Sequence, residues 1–194
     1  MKSKQIFMLQ LNFSPFPLLE SERLQFRKLT DADAPEILSL RGNPHTMKYI
    51  PRPLVTNTEE AIAYIKQIND KIDENTDINW AVTEKGSDTC IGLMGFYRTQ
   101  TEHYRTELGY MIAPEHWGKG YTTEAVNTLL EHAFHTFRFH SIEAVIDARH
   151  SASERVLQKV GFVKVAHFKE NFYYNNEFTD TVIYGLLKRN FRKQ

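Results

Sequence analysis

The chain carries one cysteine, Cys90, in 194 residues. A lone thiol makes neither an internal disulfide nor a cysteine metal cluster, so a reducing compartment, the cytoplasm, is the simplest address. Cys90 stands beside Ile91 and Gly92 in an apolar stretch, which predicts a buried structural residue rather than a nucleophile. An excess of charge of either sign is also missing. Lys+Arg and Asp+Glu number 24 each, whereas nucleic-acid binders leave a basic footprint. The basic residues Lys188, Arg189, Arg192 and Lys193 read as a solvated C-terminal tail. No apolar run approaches the ~20 residues of a membrane span. Lys2 and Lys4 precede a short apolar run, but Gln10 and Asn12 interrupt it and no small-residue cleavage site follows. Neither a nucleic acid nor a membrane is expected as a partner.

Repeats, low-complexity segments and linkers are absent too, which leaves one domain over residues 18–190, an extension at 1–17 and a tail at 191–194. Leu24 and Phe26 alternate with polar neighbours, as in a strand. Asp33-Ala34-Pro35-Glu36 supplies a cap, a first-turn proline and a third-position glutamate, and Asn43-Pro44 ends that helix. A second helix starts near Thr56–Thr58, with Ala61, Ile65, Ile68 and Ile72 on one face. The period then shortens to two. Ile78, Trp80 and Val82 mark a strand, residues 85–88 a turn, and 89–97 and 106–112 two more strands. A helix runs to about Phe137, packing Ala125, Leu129 and Ala133 with Val126, Leu130 and Phe134. Residues 142–146 form a strand, 151–160 a helix ending at Gly161, and 162–187 a hairpin turning at Asn175-Asn176. This order predicts an α/β (α+β) fold, a mixed sheet covered by helices.

The most informative segment is the strand ending at Ile112, the loop Glu115-His116-Trp117-Gly118-Lys119-Gly120-Tyr121, and the helix behind it. A helix start exposes unpaired N–H groups and the positive end of the macrodipole. Glycines allow close backbone approach to an anion. Strand, Gly-x-Gly and helix together are a recipe for gripping a phosphate, although a tight turn with an exposed lysine would look the same. The spacing of a Walker loop is absent. A dinucleotide fingerprint fails as well, because Thr123 occupies its third glycine and the unit lies past mid-chain.

With these residues the chain resembles the GNAT superfamily of N-acetyltransferases, in the branch of the ribosomal-protein N-terminal acetyltransferases. The resemblance runs from Leu18 to Leu187. It rests on residues 22–29, on 43–49, on Glu107-Leu108-Gly109-Tyr110-Met111-Ile112, on Trp117 through Ala125, on Ser153 through Phe162, and on Asp180 with Tyr184. It implies a mostly antiparallel sheet with helices on both faces and two strands splayed at an acetyl-CoA site. The pyrophosphate would lie on the amides of His116, Trp117, Gly118, Lys119, Gly120, Tyr121 and Thr122. The pantetheine arm would pair with the edge at Met111, Ile112 and Ala113, with His150 and Ser153 on its other side. Three positions depart from the family pattern. Glu115 replaces a Gln or Arg, His150 replaces an Asn that contacts the cofactor, and Leu157 stands where many relatives carry a tyrosine general acid.

The implied chemistry is direct transfer of acetyl from acetyl-CoA to a primary amine in a ternary complex. It needs a neutral amine, an oxyanion donor and a proton for the leaving thiolate. Near pH 7.5 deprotonating an α-amine costs about half a kcal/mol, and a lysine roughly 4. The branch favours a protein N-terminus as acceptor; a polyamine, an aminoglycoside or another small amine stands as the alternative. Glu107 is the candidate base, acting through water, with a structural ion pair as its plain alternative. Ser153 is the candidate donor to the thiolate, with a helix-start hydrogen bond as its plain alternative. Tyr173 and Tyr174 are weaker candidates for the acceptor side. His132 and His135 have a metal-like i, i+3 spacing without a third ligand, so solvated histidines and no metal are expected. A non-catalytic acyl-CoA-binding module is the rival reading, kept open by His150 and Leu157.

Overall fold

A computed structural model of the chain describes residues 8–192; Lys2 and Lys4 lie outside the described residues. The elements are β1 (Leu19–Glu20), β2 (Leu24–Arg27), α1 (Ala34–Gly42), α2 (Thr58–Asp73), β3 (Ile78–Glu84), β4 (Gly92–Gln100), β5 (Arg105–Ile112), α3 (Tyr121–His135), β6 (Ser141–Asp147), α4 (Ser151–Lys159), β7 (Val163–Tyr174) and β8 (Glu177–Leu187). The strands form one sheet in the order β1-β2-β3-β4-β5-β6-β8-β7. Every neighbouring pair is antiparallel except β5 and β6.

Local chemistry sets the helix boundaries. Before α1, the Asp33 carboxylate accepts the Thr30 N–H at 2.9 Å, and Pro35 fits the first turn because its missing donor has no acceptor there. Before α2, the Asn57 side chain accepts the Glu60 N–H at 2.8 Å while Glu60 accepts that of Thr56. The four apolar positions of α2 are buried. At the last hairpin, Asn175 and Asn176 both adopt positive φ, 48° and 61°, the geometry of a two-residue turn between twisted strands.

The core has two sides. Trp80 is fully buried and packs edge-on against His132 and Phe96 and in parallel with Phe137, so α3 covers one face of β3. The opposite face carries Asn79 and Tyr97, whose phenol donates to the Asn79 side-chain Oδ1. Covered on both faces, β3 is buried almost throughout, and the alternation read from Ile78, Trp80 and Val82 marks two buried sides rather than one.

Four features depart from the sequence reading. β4 begins at Gly92, after an irregular 88–91, and runs on to Gln100. Part of the extension is packed into the domain: Leu9 and Phe13 are buried, Phe13 meets Phe137 at 5.4 Å, and the Trp80 indole donates to the Pro17 carbonyl at 2.7 Å. In the tail, Phe191 is buried against Phe134. His132 is also not solvated. It lies between Trp80 and Phe137, and burial pushes its imidazole below the usual range. No helix among the described residues is long and apolar enough to cross a membrane.

What positions the site is a split in the sheet. β5 and β6 pair only at Arg105↔Ser141, Thr106↔Ile142 and Glu107↔Glu143. Beyond Glu107, β5 continues on β4 to Ile112 and β6 continues on β8 to Asp147. A wedge therefore opens between them, with Glu107 at its apex.

Candidate active site

The ladder determines which backbone groups face the wedge. The Ala113 N–H donates to Ile91 of the β4 side at 2.8 Å. Antiparallel alternation then turns Ala113, Met111 and Gly109 toward β4, and leaves Leu108, Tyr110 and Ile112 facing the wedge. The Ile112 carbonyl there already accepts the Trp117 indole N–H at 2.6 Å. Of Met111, Ile112 and Ala113, only Ile112 turns its backbone to the wedge, because one-residue register decides which groups are available.

The loop after β5 is similarly narrowed. A short 3-10 turn commits the His116 N–H to the Ala113 carbonyl at 2.9 Å and the Trp117 N–H to the Pro114 carbonyl at 3.1 Å. The amides of Gly118, Lys119, Gly120, Tyr121 and Thr122 follow, and those that open α3 have no acceptor within it. Gly118 and Gly120 take φ values of 74° and 82°, a left-handed backbone that glycine adopts without strain. Gly120 caps the 15-residue α3, so amides and macrodipole converge beside the Lys119 side chain.

Behind the loop, Arg23 of the β1–β2 turn donates to the Lys119 carbonyl at 3.0 Å and stacks over the Tyr121 ring at 4.6 Å. Glu124 in turn holds Arg23 and Ser21 at 2.7 Å. Tyr121 donates to Glu84 at 2.6 Å, and the His116 Nδ1 lies 3.6 Å from the same carboxylate. Glu115 is exposed. Sequence reading passed over Arg23 and Glu84 because each lies tens of residues from the loop; only the sheet brings them together.

On the other wall, Ser153 opens α4 and is buried, its Oγ 2.7 Å from the Tyr110 Oη. Burial pushes the Tyr110 phenol up to about 12, against the pull of its bond to Ser153. Leu157 is fully buried, as an apolar core residue should be. His150 caps α4 without a side-chain cap bond and stacks on Tyr49 at 4.6 Å. Burial lowers its pKa, with Asp147 acting the other way.

The wedge opens into a cleft of about 890 Å³ that Glu107, Met111, His150, Ser153 and Tyr174 all help to line. Tyr173 instead stacks on Phe178 and is exposed. Glu107 pairs with Arg98, whereas Arg105 pairs with Glu143 at 3.1 Å. Gly109 leaves room for the Tyr97 ring; a Cβ there would lie 2.7 Å from it. Burial pushes the Cys90 thiol up to about 12, which leaves no thiolate for nucleophilic work. The described residues contain no cluster of metal-binding side chains.

Comparison with known proteins agrees with this architecture. Residues 23–163 match the family described as acetyltransferase (GNAT) domain. The uncharacterized N-acetyltransferase YoaA of Bacillus subtilis (strain 168) is 32% identical over 173 residues, 89% of this chain and 98% of that protein. The spermidine N(1)-acetyltransferase of Vibrio cholerae is 27% identical, covering 82% of this chain and 90% of its own length. The structure of ribosomal-protein-S5-alanine acetyltransferase from Vibrio fischeri superposes with a TM-score of 0.79 at 24% identity, over 91% of this chain and 99% of that one. The chain belongs to the GNAT family and is an acetyl-CoA-dependent N-acetyltransferase.

Proposed function

We propose that acetyl is transferred to the α-amine of an acceptor held in the cleft, with Glu107 taking the amine proton through water. The observation that carries this reading is the position of Glu107 at the last β5–β6 pair, lining the cleft where the wedge closes. Acetyl-CoA supplies a thioester carbonyl at that apex. The residues that fit it are the amides of Gly118 through Thr122, the Lys119 side chain, and the wedge-facing backbone of Leu108, Tyr110 and Ile112. Amine nitrogen bonds to the carbonyl carbon, the carbon–sulfur bond breaks, and the amine's proton leaves toward Glu107. The outward amides of β5 are the available donors for carbonyl oxygen.

Ser153 and Tyr110 share one hydrogen bond at the wedge wall, and a proton for the thiolate passes from Ser153 or from water. The leaving thiol, with a pKa around 8.5, needs only modest help. The Arg98 ion pair does not remove Glu107 from this role, since Arg98 is largely exposed and pairs of that kind contribute at most about 1 kcal/mol. A reducing cytoplasm remains the expected location.

Glu107→Gln keeps the side chain's shape and removes the base. Turnover with a fixed acceptor should fall by about 10²–10⁴-fold, while CoA affinity by calorimetry stays within error. Wild-type turnover in the variant would leave Glu107 a structural partner of Arg98.

A further inference from the structure

Residues 43–57 join α1 to α2 and include no Asp or Glu. This segment forms one wall of the cleft and, with the end of α1, brings Arg41, Lys48 and Arg52 to it. Each carboxylate of the cleft has a basic neighbour, Asp147 and Glu177 sharing one, and the lining still holds more Lys and Arg than Asp and Glu. Asp77 pairs with Lys71 at 2.7 Å, Glu107 with Arg98, Asp147 and Glu177 with Arg149 at 2.7 and 2.9 Å, and Asp180 with His167 at 2.7 Å. Arg41, Lys48 and Arg52 have no carboxylate partner among the described residues. Arg41 lies over the Tyr64 ring at 4.3 Å with its Nε buried and unbonded, Lys48 lies over Tyr49 at 5.1 Å, and Arg52 donates to the Pro51 carbonyl at 3.0 Å.

The charge left over in the cleft is therefore positive and gathered on one wall. Buried donors without acceptors are costly, and aromatic faces under two of the cations hold them in place without neutralising them. Such a wall attracts an anion and repels a second ammonium. We infer that the acceptor is an amine whose own molecule carries a carboxylate or phosphate, bound by Arg41 with Lys48 and Arg52. This inference rests on the acceptor cleft assigned above. It sets the chain apart from a polyamine enzyme, although one of its relatives bears that name.

Matched acceptors test it: small primary amines of equal length ending in a carboxylate, in a phosphate, in the neutral carboxamide, or in a second amine. Each is followed by thiol release and, separately, by calorimetric binding to the CoA-loaded protein. The wild type should favour the carboxylate or the phosphate over the carboxamide by about 10-fold or more in kcat/KM, and the diamine should be poorest. The carboxylate and phosphate arms tell the two anion sources apart. Raising salt should shrink the preference. Arg41→Gln should erase most of it by raising KM, with CoA affinity unchanged. The double variant Lys48→Gln/Arg52→Gln, on exposed loop positions, should reduce it in a chain whose fold is undisturbed. Equal rates and affinities for carboxylate, phosphate and carboxamide, or a preference for the diamine, would overturn the inference. Preferred binding of the anionic amines without thiol release would uphold the anion wall and refute the catalytic reading instead.

Discussion

At the scale of single residues, the chemistry is divided between groups that are free to act and groups that are committed. Cys90 is committed to the core, so Cys90→Ala should retain turnover, and intact mass after incubation with acetyl-CoA alone should show no acetyl adduct. An adduct that later passes to acceptor would contradict direct transfer. Ser153 is bonded to Tyr110. If Ser153 supplies the thiolate's proton, Ser153→Ala should lower kcat by about 10-fold, a modest loss because water substitutes; an unchanged kcat with weakened CoA binding would make it a positioning residue. Asp33 anchors the start of α1. Burial by itself would raise its pKa, but two hydrogen bonds from Arg27 at 2.9 and 2.7 Å and one from the Thr30 N–H outweigh it and hold the carboxylate below its usual range. Asp33→Ala leaves Arg27 with only the Lys28 and Asp88 carbonyls as acceptors and no carboxylate, and should cost roughly 3 kcal/mol in a denaturant melt.

At the scale of elements, what periodicity and capping dictate was readable in the sequence, and what register dictates was not. The α2 stripe, the Pro35 start, the Asn43 stop and the Asn175-Asn176 turn are local signals, and each appears where the residues place it. The turn at Gly118 and Gly120 into α3 was legible for the same reason: two glycines before a helix are a local instruction. That a 3-10 turn at residues 114–116 already uses the His116 and Trp117 amides, and that pairing with β4 turns Met111 and Ala113 away from the wedge, could not be read locally, because pairing is a long-range fact. Arg23 and Glu84 are brought to the loop by the sheet from distant segments, whereas Arg41, Lys48 and Arg52 share one short stretch of sequence and only the fold shows that it lines the cleft. Gly120→Val tests the loop. Its Cβ would meet only the Arg23 side chain, at 3.5 Å, so the strain is in the backbone, ~1–2 kcal/mol for a left-handed conformation. CoA affinity should drop about 10-fold with the fold intact; equal affinity would remove the loop from cofactor binding. Gly109→Ala tests the cleft floor. The new methyl must displace a half-buried Tyr97 ring, which should cost about 1–3 kcal/mol of stability in a thermal or denaturant melt.

At the scale of the whole molecule, one sheet carries out two tasks by failing to close. In its left half β3 is buried on both faces, and its right half, β6 to β8, parts from β5 once Glu107↔Glu143 is passed. On the function proposed above, cofactor would come to the loop end of the wedge and acceptor to the cleft over β4 and β5, and the two would meet at Glu107. Acid should loosen this assembly. Asp33, Glu124 and Asp147 are all held below their usual range, in each case because hydrogen bonds from a neighbouring arginine and other donors exceed the opposing effect of burial. Their stabilisation is complete above the unfolded carboxylate range near pH 4 and is lost as pH falls through the lower folded values. The midpoint of urea unfolding should accordingly begin to slip below about pH 6.5, where His132 and His150 take up protons more readily in the unfolded chain, and fall further below about pH 4. The central claim, that amine deprotonation is assisted at the apex, is tested most directly by kcat/KM against pH for the wild type and Glu107→Gln with the same α-amine acceptor. The ratio of the two should be large near pH 7 and shrink as pH rises past the acceptor's own pKa of about 8, where neutral amine no longer needs a base. A ratio of one at every pH, with both proteins binding CoA equally, would contradict it.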